Sequence, residues 1–217
     1  TIELFAWFET GLLNLKWGFL FDTLTVIMLC VVSFISFLVH VYSIYYMESD
    51  PHVIRFMSYL SLFTFFMLVL VTADNYAQLF LGWEGVGLCS YLLVNFWFTR
   101  EQANKSAMKA IIVNRIGDFF FLLDLLLIFY VFKTYNFLVI YFIISEYEFS
   151  KFYFFNYEVS FLTAIFFCLF LAGKFCNLIF FEEDFFLFFL LDLASFNSIA
   201  FPVDSPDNFK YFAFSLF

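Results

Sequence analysis

Long apolar stretches separated by short polar segments set the pattern of the chain. The first stretch long enough to cross a bilayer, which takes about 20 apolar residues, is "FDTLTVIMLCVVSFISFLVHVYSIYY" at 21–46. It stops at the polar loop Glu48 to Arg55, where Asp50-Pro51 ends a helix because the residue before proline is pushed out of the α region. A second span is predicted from about 57 to 73 and a third from 76 to 98, with only the turn-forming pair Asp74-Asn75 between them. That spacing predicts a tight helical hairpin. A fourth span is predicted over about 108–132 and a fifth over 159–181. Residues 1–20 read as an amphipathic or interfacial lead-in, and 133–158, which mix aromatic and charged side chains, as an interfacial loop. Residues 182–217 form a divergent acidic and apolar tail whose relation to the membrane the pattern leaves open. No period of 20 to 50 residues repeats.

Composition fixes the solvent. The chain has 217 residues, is 65% hydrophobic and 13% charged, and has a mean hydropathy of +0.94. A soluble domain is about half apolar and a quarter charged, and a chain this short cannot hide the excess in one core. An all-α polytopic membrane protein of about five to six transmembrane helices is therefore expected. The net charge of −9 argues against a nucleic-acid partner, which requires a basic face. Cys30, Cys89, Cys168 and Cys176 lie in apolar runs without a C-x-x-C, and His40 and His52 are the only histidines. These leave no ligand set for haem or iron–sulfur groups, so no redox cofactor and no metal are expected in the chain itself.

The N-terminal "TIELFAWFETGLLNLKW" has neither the basic start of a signal peptide nor the Arg-rich, acid-poor character of a transit peptide. It begins at Thr1, so residues upstream are expected. The 41 Phe and 13 Tyr residues suit an AT-rich genome and, with the missing transit peptide, point to synthesis inside an organelle. Arg55, Arg100, Lys105 and Lys109 fall on one side of the five spans and Lys16, Lys133 and Lys151 on the other. By the positive-inside rule the first group faces the matrix or cytoplasm, on a margin of one residue.

Within the spans the ionisable residues carry the chemistry, because charge at membrane depth is rare and usually functional. Glu84 lies in "LGWEGVGLCSYLL" eight residues into its helix, roughly 12 Å from one end. Charge there costs at least about 2.5 kcal/mol on insertion scales. Gly82, Gly85 and Gly87 allow close backbone approach, which is expected to turn Glu84 toward protein rather than lipid. The carboxyl then either loads and unloads a proton or serves as a structural hydrogen-bonding group. In "KSAMKAIIVNRIGDF", Lys105 and Lys109 share a helix face, as do Arg115 and Asp118. Arg115 and Asp118 either neutralise each other or leave Asp118 to modulate Glu84. Asp124, one to two turns deeper, lacks an evident partner. Lys174, after Gly173 in "LFLAGKFCNLIFF", either switches charge beside Glu84 or extends to the interface. His40 reads as a satisfied helix-packing residue.

"WGFLFDTLTVIML", "HVYSIYYM", "RFMSYLSLFTFFMLVLVTADN", "LFLGWEGVGLCSYLLVNFWFTR" and "KAIIVNRIGDF" resemble the subunit-five family of mitochondrial NADH:ubiquinone oxidoreductase, respiratory complex I. Cation/proton antiporter subunits share the WEGVGL core. The resemblance runs from about Trp17 to Phe119 and implies a proton-translocating, antiporter-like subunit of the membrane arm. It implies that Glu84 matches the family's key glutamate, Asp118 the acid of its NRVGDF-type motif, and Lys174 the lysine of its G-K-S-A-Q motif on a broken helix. NADH, FMN, iron–sulfur clusters and ubiquinone would all be used by other subunits. The sequence after Lys174, "FCNLIFFEEDFF", departs from the family pattern.

The resulting expectation is the N-terminal piece of a split or truncated subunit, a multi-pass, organelle-encoded chain of the mitochondrial inner membrane. Its partners would be other membrane-arm subunits, membrane lipids and a separate chain carrying the remaining C-terminal helices. Two alternatives stand beside it: a structural or assembly subunit of the same complex that no longer transports, and a cation/proton antiporter subunit.

Overall fold

A computed structural model describes residues 1–11, 13–146, 151–154, 157–160 and 163–173. Helix α1 spans Thr23–Tyr46, α2 Val53–Val71 and α3 Tyr76–Val94; a 3-10 turn, Asn95–Trp97, extends the last. All three are long and apolar enough to cross a membrane. Helix α4 runs Glu101–Phe132, α5 Phe137–Glu146 and α6 Thr163–Gly173. The protein is an all-α polytopic membrane protein in its spans, with short strand pairs outside them.

The chain divides into two compact units, the first formed by residues 1–3 and 18–112 and the second by 4–17 and 113–217. In the first unit, α2 and α3 pack closely against each other and α1 packs on α2. The hairpin predicted at Asp74-Asn75 forms, and Asn75 fixes its exit. Its side-chain oxygen accepts from the Gln78 backbone N–H at 2.8 Å, which satisfies one of the orphan donors at the start of α3. Thr72, Asp74, Asn75 and Gln78 are all buried at this turn. The chain entering α1 covers it: Leu20 N–H donates to the Thr72 carbonyl at 3.0 Å, and Gly18 N–H donates to Gln78 Oε1 at 3.4 Å. A Cβ on Gly18 would lie 2.9 Å from Asp74 Oδ2, so glycine is what lets the strand approach.

His40 ties α1 to α2. Its Nδ1 is 2.7 Å from the Ser36 carbonyl, which can only accept, so Nδ1 carries the proton, and Nε2 lies 3.3 Å from Ser61 Oγ on α2. That matches the packing role read from the sequence. At the other end of α2, Arg55 lies 5.1 Å from the centre of the Phe96 ring, and Arg100 lies 5.9 Å from that of Trp97. Both cations thus rest on aromatic faces where the spans end.

Several stretches hold structure that the hydropathy pattern did not specify. The fifth span, read over 159–181, begins in a strand, Tyr157–Ser160, and its described helix is α6 Thr163–Gly173, with 174–181 outside the described residues. Residues 1–20, read as an amphipathic or interfacial lead-in, hold two strands, β1 Ile2–Thr10 and β2 Leu13–Phe19, paired in one sheet. Phe5 and Trp7, two apart and so on one face of β1, both meet Trp17 of β2, at 6.2 and 5.1 Å between ring centres. Helix α4 starts at Glu101, where Arg100's carbonyl accepts from Asn104 N–H at 3.2 Å. The charged first turns extend the helix beyond the apolar run read at 108–132: 32 residues reach about 48 Å, longer than a hydrocarbon layer of about 30 Å. Residues 133–158 hold helix α5 and the antiparallel strands β3 Lys151–Phe154 and β4 Tyr157–Ser160, with Lys151 opposite Ser160. Asn136 starts α5 by accepting from Leu138 N–H at 3.1 Å, ahead of the apolar run "FLVIYFII".

Candidate functional site

Glu84 sits eight residues after the start of α3, inside the span Tyr76–Trp97. The face of α3 that meets α2 is set by Leu79, Gly82, Val86 and Cys89, all buried at helical spacing. A Cβ on Gly82 would lie 2.8 Å from Leu70 Cα and from Leu70 N, and one on Gly85 would lie 2.3 Å from the Phe66 ring. These glycines bring the two helix backbones together, as the sequence suggested. Gly87 is half-buried, and its carbonyl accepts from Ser90 Oγ at 2.8 Å.

Glu84 itself does not lie on the α2 interface. Two residues advance an α-helix by about 200°, so a side chain two positions from Gly82 leaves the α2 interface. Glu84 is exposed on the outward face of α3, together with Leu88. The glycines therefore aim the glutamate away from α2, not into the helix pair. What the arrangement offers chemically is a carboxyl at membrane depth, on a rigid helix, presented outward from this chain.

Lys105 and Lys109 lie one turn apart and exposed on α4 in the first unit. In the second unit Arg115 is exposed and Asp118, three residues on, is half-buried. Glu84, Lys109, Arg115 and Asp118 each make contacts with neighbouring groups. Lys174 lies outside the described residues. The inward stripe of α4 continues past Asp118 through Phe121, Asp124, Ile128 and Phe132. Asp124, which no motif marks, is the most deeply buried acid of the helix. Its signal in the sequence is its place in "LLDLLL", where a charge has no local reason to be.

With three apolar spans, a buried polar hairpin turn and an acid inside one of the spans, the chain is a polytopic membrane protein. Residues 73–181 match the family described as "NADH:quinone oxidoreductase/Mrp antiporter, TM", and residues 7–57 match "NADH-Ubiquinone oxidoreductase (complex I), chain 5 N-terminus". The chain belongs to the NADH:quinone oxidoreductase/Mrp antiporter family, on its complex I chain 5 branch. It is 67% identical to NADH-ubiquinone oxidoreductase chain 5 of Acanthamoeba castellanii over 136 residues, which is 63% of this chain and 20% of that one. To the same-named protein of Chondrus crispus it is 63% identical over 137 residues, 63% of this chain and 21% of that one. To that of Arabidopsis thaliana it is 61% identical over 136 residues, 63% of this chain and 20% of that one. The chain spans about a fifth of the length of the curated relatives it matches.

Proposed function

We propose that the chain works as a membrane-arm subunit of NADH:ubiquinone oxidoreductase and supplies part of an antiporter-like, proton-translocating half-channel. The observation that carries this is the position of Glu84. It lies within the family-matched segment 73–181, inside an apolar span, on a face of α3 that is exposed among the described residues. An acid there carries protons when further helices cover it and connect it to water. Those helices come from residues outside the described ones or from other subunits.

In this reading Glu84 takes up and releases the proton, Asp118 and Arg115 set the local field on α4, and Lys174 opposes the glutamate's charge. The redox groups and the quinone belong to other subunits, so this chain contributes no redox step. Its setting is the mitochondrial inner membrane, and its synthesis is organellar.

Mass spectrometry of the intact complex, isolated in mild detergent, tests the reading. The chain is expected at equal stoichiometry with the other membrane-arm subunits, with the remaining helices accounted for in its own mass or in a companion's. Finding the chain outside any such complex would refute it. A structural role without transport is the second reading, favoured by the acidic sequence after Lys174, which departs from the family pattern. It predicts that Glu84→Gln leaves proton movement unchanged while bulk at Gly82 blocks assembly. Sodium-dependent activity would instead indicate a cation/proton antiporter subunit.

A further inference from the structure

The inward stripe of α4 is apolar except at one point. Asp124 is 0% exposed, and neither carboxyl oxygen has a hydrogen-bond partner among the described residues. It lies eight residues before the end of α4 at Phe132, roughly 12 Å along the helix, within the apolar run expected as the fourth span. Phe121, Leu125 and Ile128, buried on the same stripe, give it no polar contact.

Among the described residues, neighbouring groups offer no counter-charge either. On α4 the ionisable residues nearest in sequence are Asp118, six positions before, and Tyr130, six after; Lys133 follows the end of the helix. Lys133 lies instead over the Tyr130 and Phe129 rings, at 5.1 and 5.8 Å. Helix α6 brings Cys168 within electrostatic range of Asp124, and that thiol is the sole titratable side chain in Thr163–Gly173. Helix α5 carries Tyr141 and Glu146. Burying an isolated carboxylate costs several kcal/mol even after relaxation, and a thiol is only a weak hydrogen-bond donor. A carboxyl so placed is satisfied by holding a proton, which removes the charge.

We propose that Asp124 is a proton-binding site inside the membrane, separate from Glu84, with the Cys168 thiol as its neighbour. The ligand is the proton, and the two states differ by one charge on the inward stripe of α4. The claim concerns occupancy by a proton and goes beyond the transport reading, so it can hold or fail independently of it.

Infrared spectroscopy of the isolated complex containing the full chain tests this. The expected result is a protonated-carboxyl carbonyl band that disappears in Asp124→Asn and shifts in Cys168→Ser. A spectrum unchanged in that region by Asp124→Asn overturns the proposal. If the Asn variant does not accumulate in the membrane, dicyclohexylcarbodiimide decides on the unmutated chain. The acid's O–H adds across one C=N bond of the reagent and the acyl group then shifts to nitrogen, so the peptide gains the reagent's whole mass. An adduct mapped to Asp124, lost as the pH is raised, supports the site; Asp124 left unmodified overturns it.

Discussion

Gly82 and Gly85 look interchangeable in the sequence, yet the structure predicts that alanine at each has a different cost. At Gly82 a new Cβ would lie 2.8 Å from Leu70 Cα, Cβ and N. Carbon atoms prefer about 3.5–4.0 Å, so α2 would have to retreat by roughly 1 Å along its contact with α3. Overpacking of this kind costs about 1–3 kcal/mol. At Gly85 the obstacle is the Phe66 ring, at 2.3 Å. That contact is closer, but a half-buried ring can turn away where a backbone cannot. Both substitutions gain the same helix propensity, about 1 kcal/mol, so the difference between them isolates the steric term. Gly82→Ala is expected to be less stable than Gly85→Ala by about 1–2 kcal/mol, roughly a tenfold change in the folded-to-unfolded ratio. The assay is protease resistance of the membrane-embedded chain across a denaturant titration. A second arm sharpens it: Phe66→Ala should rescue Gly85→Ala, whereas Leu70→Ala should not rescue Gly82→Ala, because Leu70 Cα and N remain. Equal stability of the two alanine variants, or rescue by Leu70→Ala, would refute the backbone-contact argument.

Three further predictions use the same titration. Asn75→Ala removes the side-chain cap of α3 and should cost about 1 kcal/mol, with Asn75→Asp or Asn75→Ser nearly neutral; equal loss in all three would contradict the capping role. A double-mutant cycle of Arg55→Gln and Phe96→Leu should give a coupling of about 0.5–1 kcal/mol for the cation over the ring, and additive effects would remove it. His40→Ala and Ser61→Ala should each weaken the α1–α2 contact by about 1 kcal/mol and together cost less than their sum, whereas strict additivity would show that the two do not bond.

The spans were legible because membrane burial demands long apolar runs, and their ends were legible where turn chemistry interrupted them. Val71 and Tyr76 flank the Asp74-Asn75 turn as the pattern required, and α1 ends at Tyr46 as read. The start of α4 was not legible from hydropathy, because the charged residues from Glu101 to Lys109 are helical outside the apolar layer. The strands at 2–19 were hidden because a short aromatic run with scattered charges fits an interfacial helix as well as a strand pair; the meeting of Phe5 and Trp7 with Trp17 settles it. The site was half legible. The glycine cluster correctly marked a close helix contact, but its direction relative to Glu84 depends on which glycine faces α2. Asp124 was visible as an anomaly, and only the packing of α4 shows that it points inward.

The most direct test of the proposed function is proton translocation per quinone reduced, measured in vesicles containing the complex with Glu84 or with Glu84→Gln. Gln keeps the size and hydrogen bonding of the side chain and cannot carry the proton. The account predicts normal assembly with a reduced proton yield. An assembled Glu84→Gln complex that translocates protons at the full yield would contradict it.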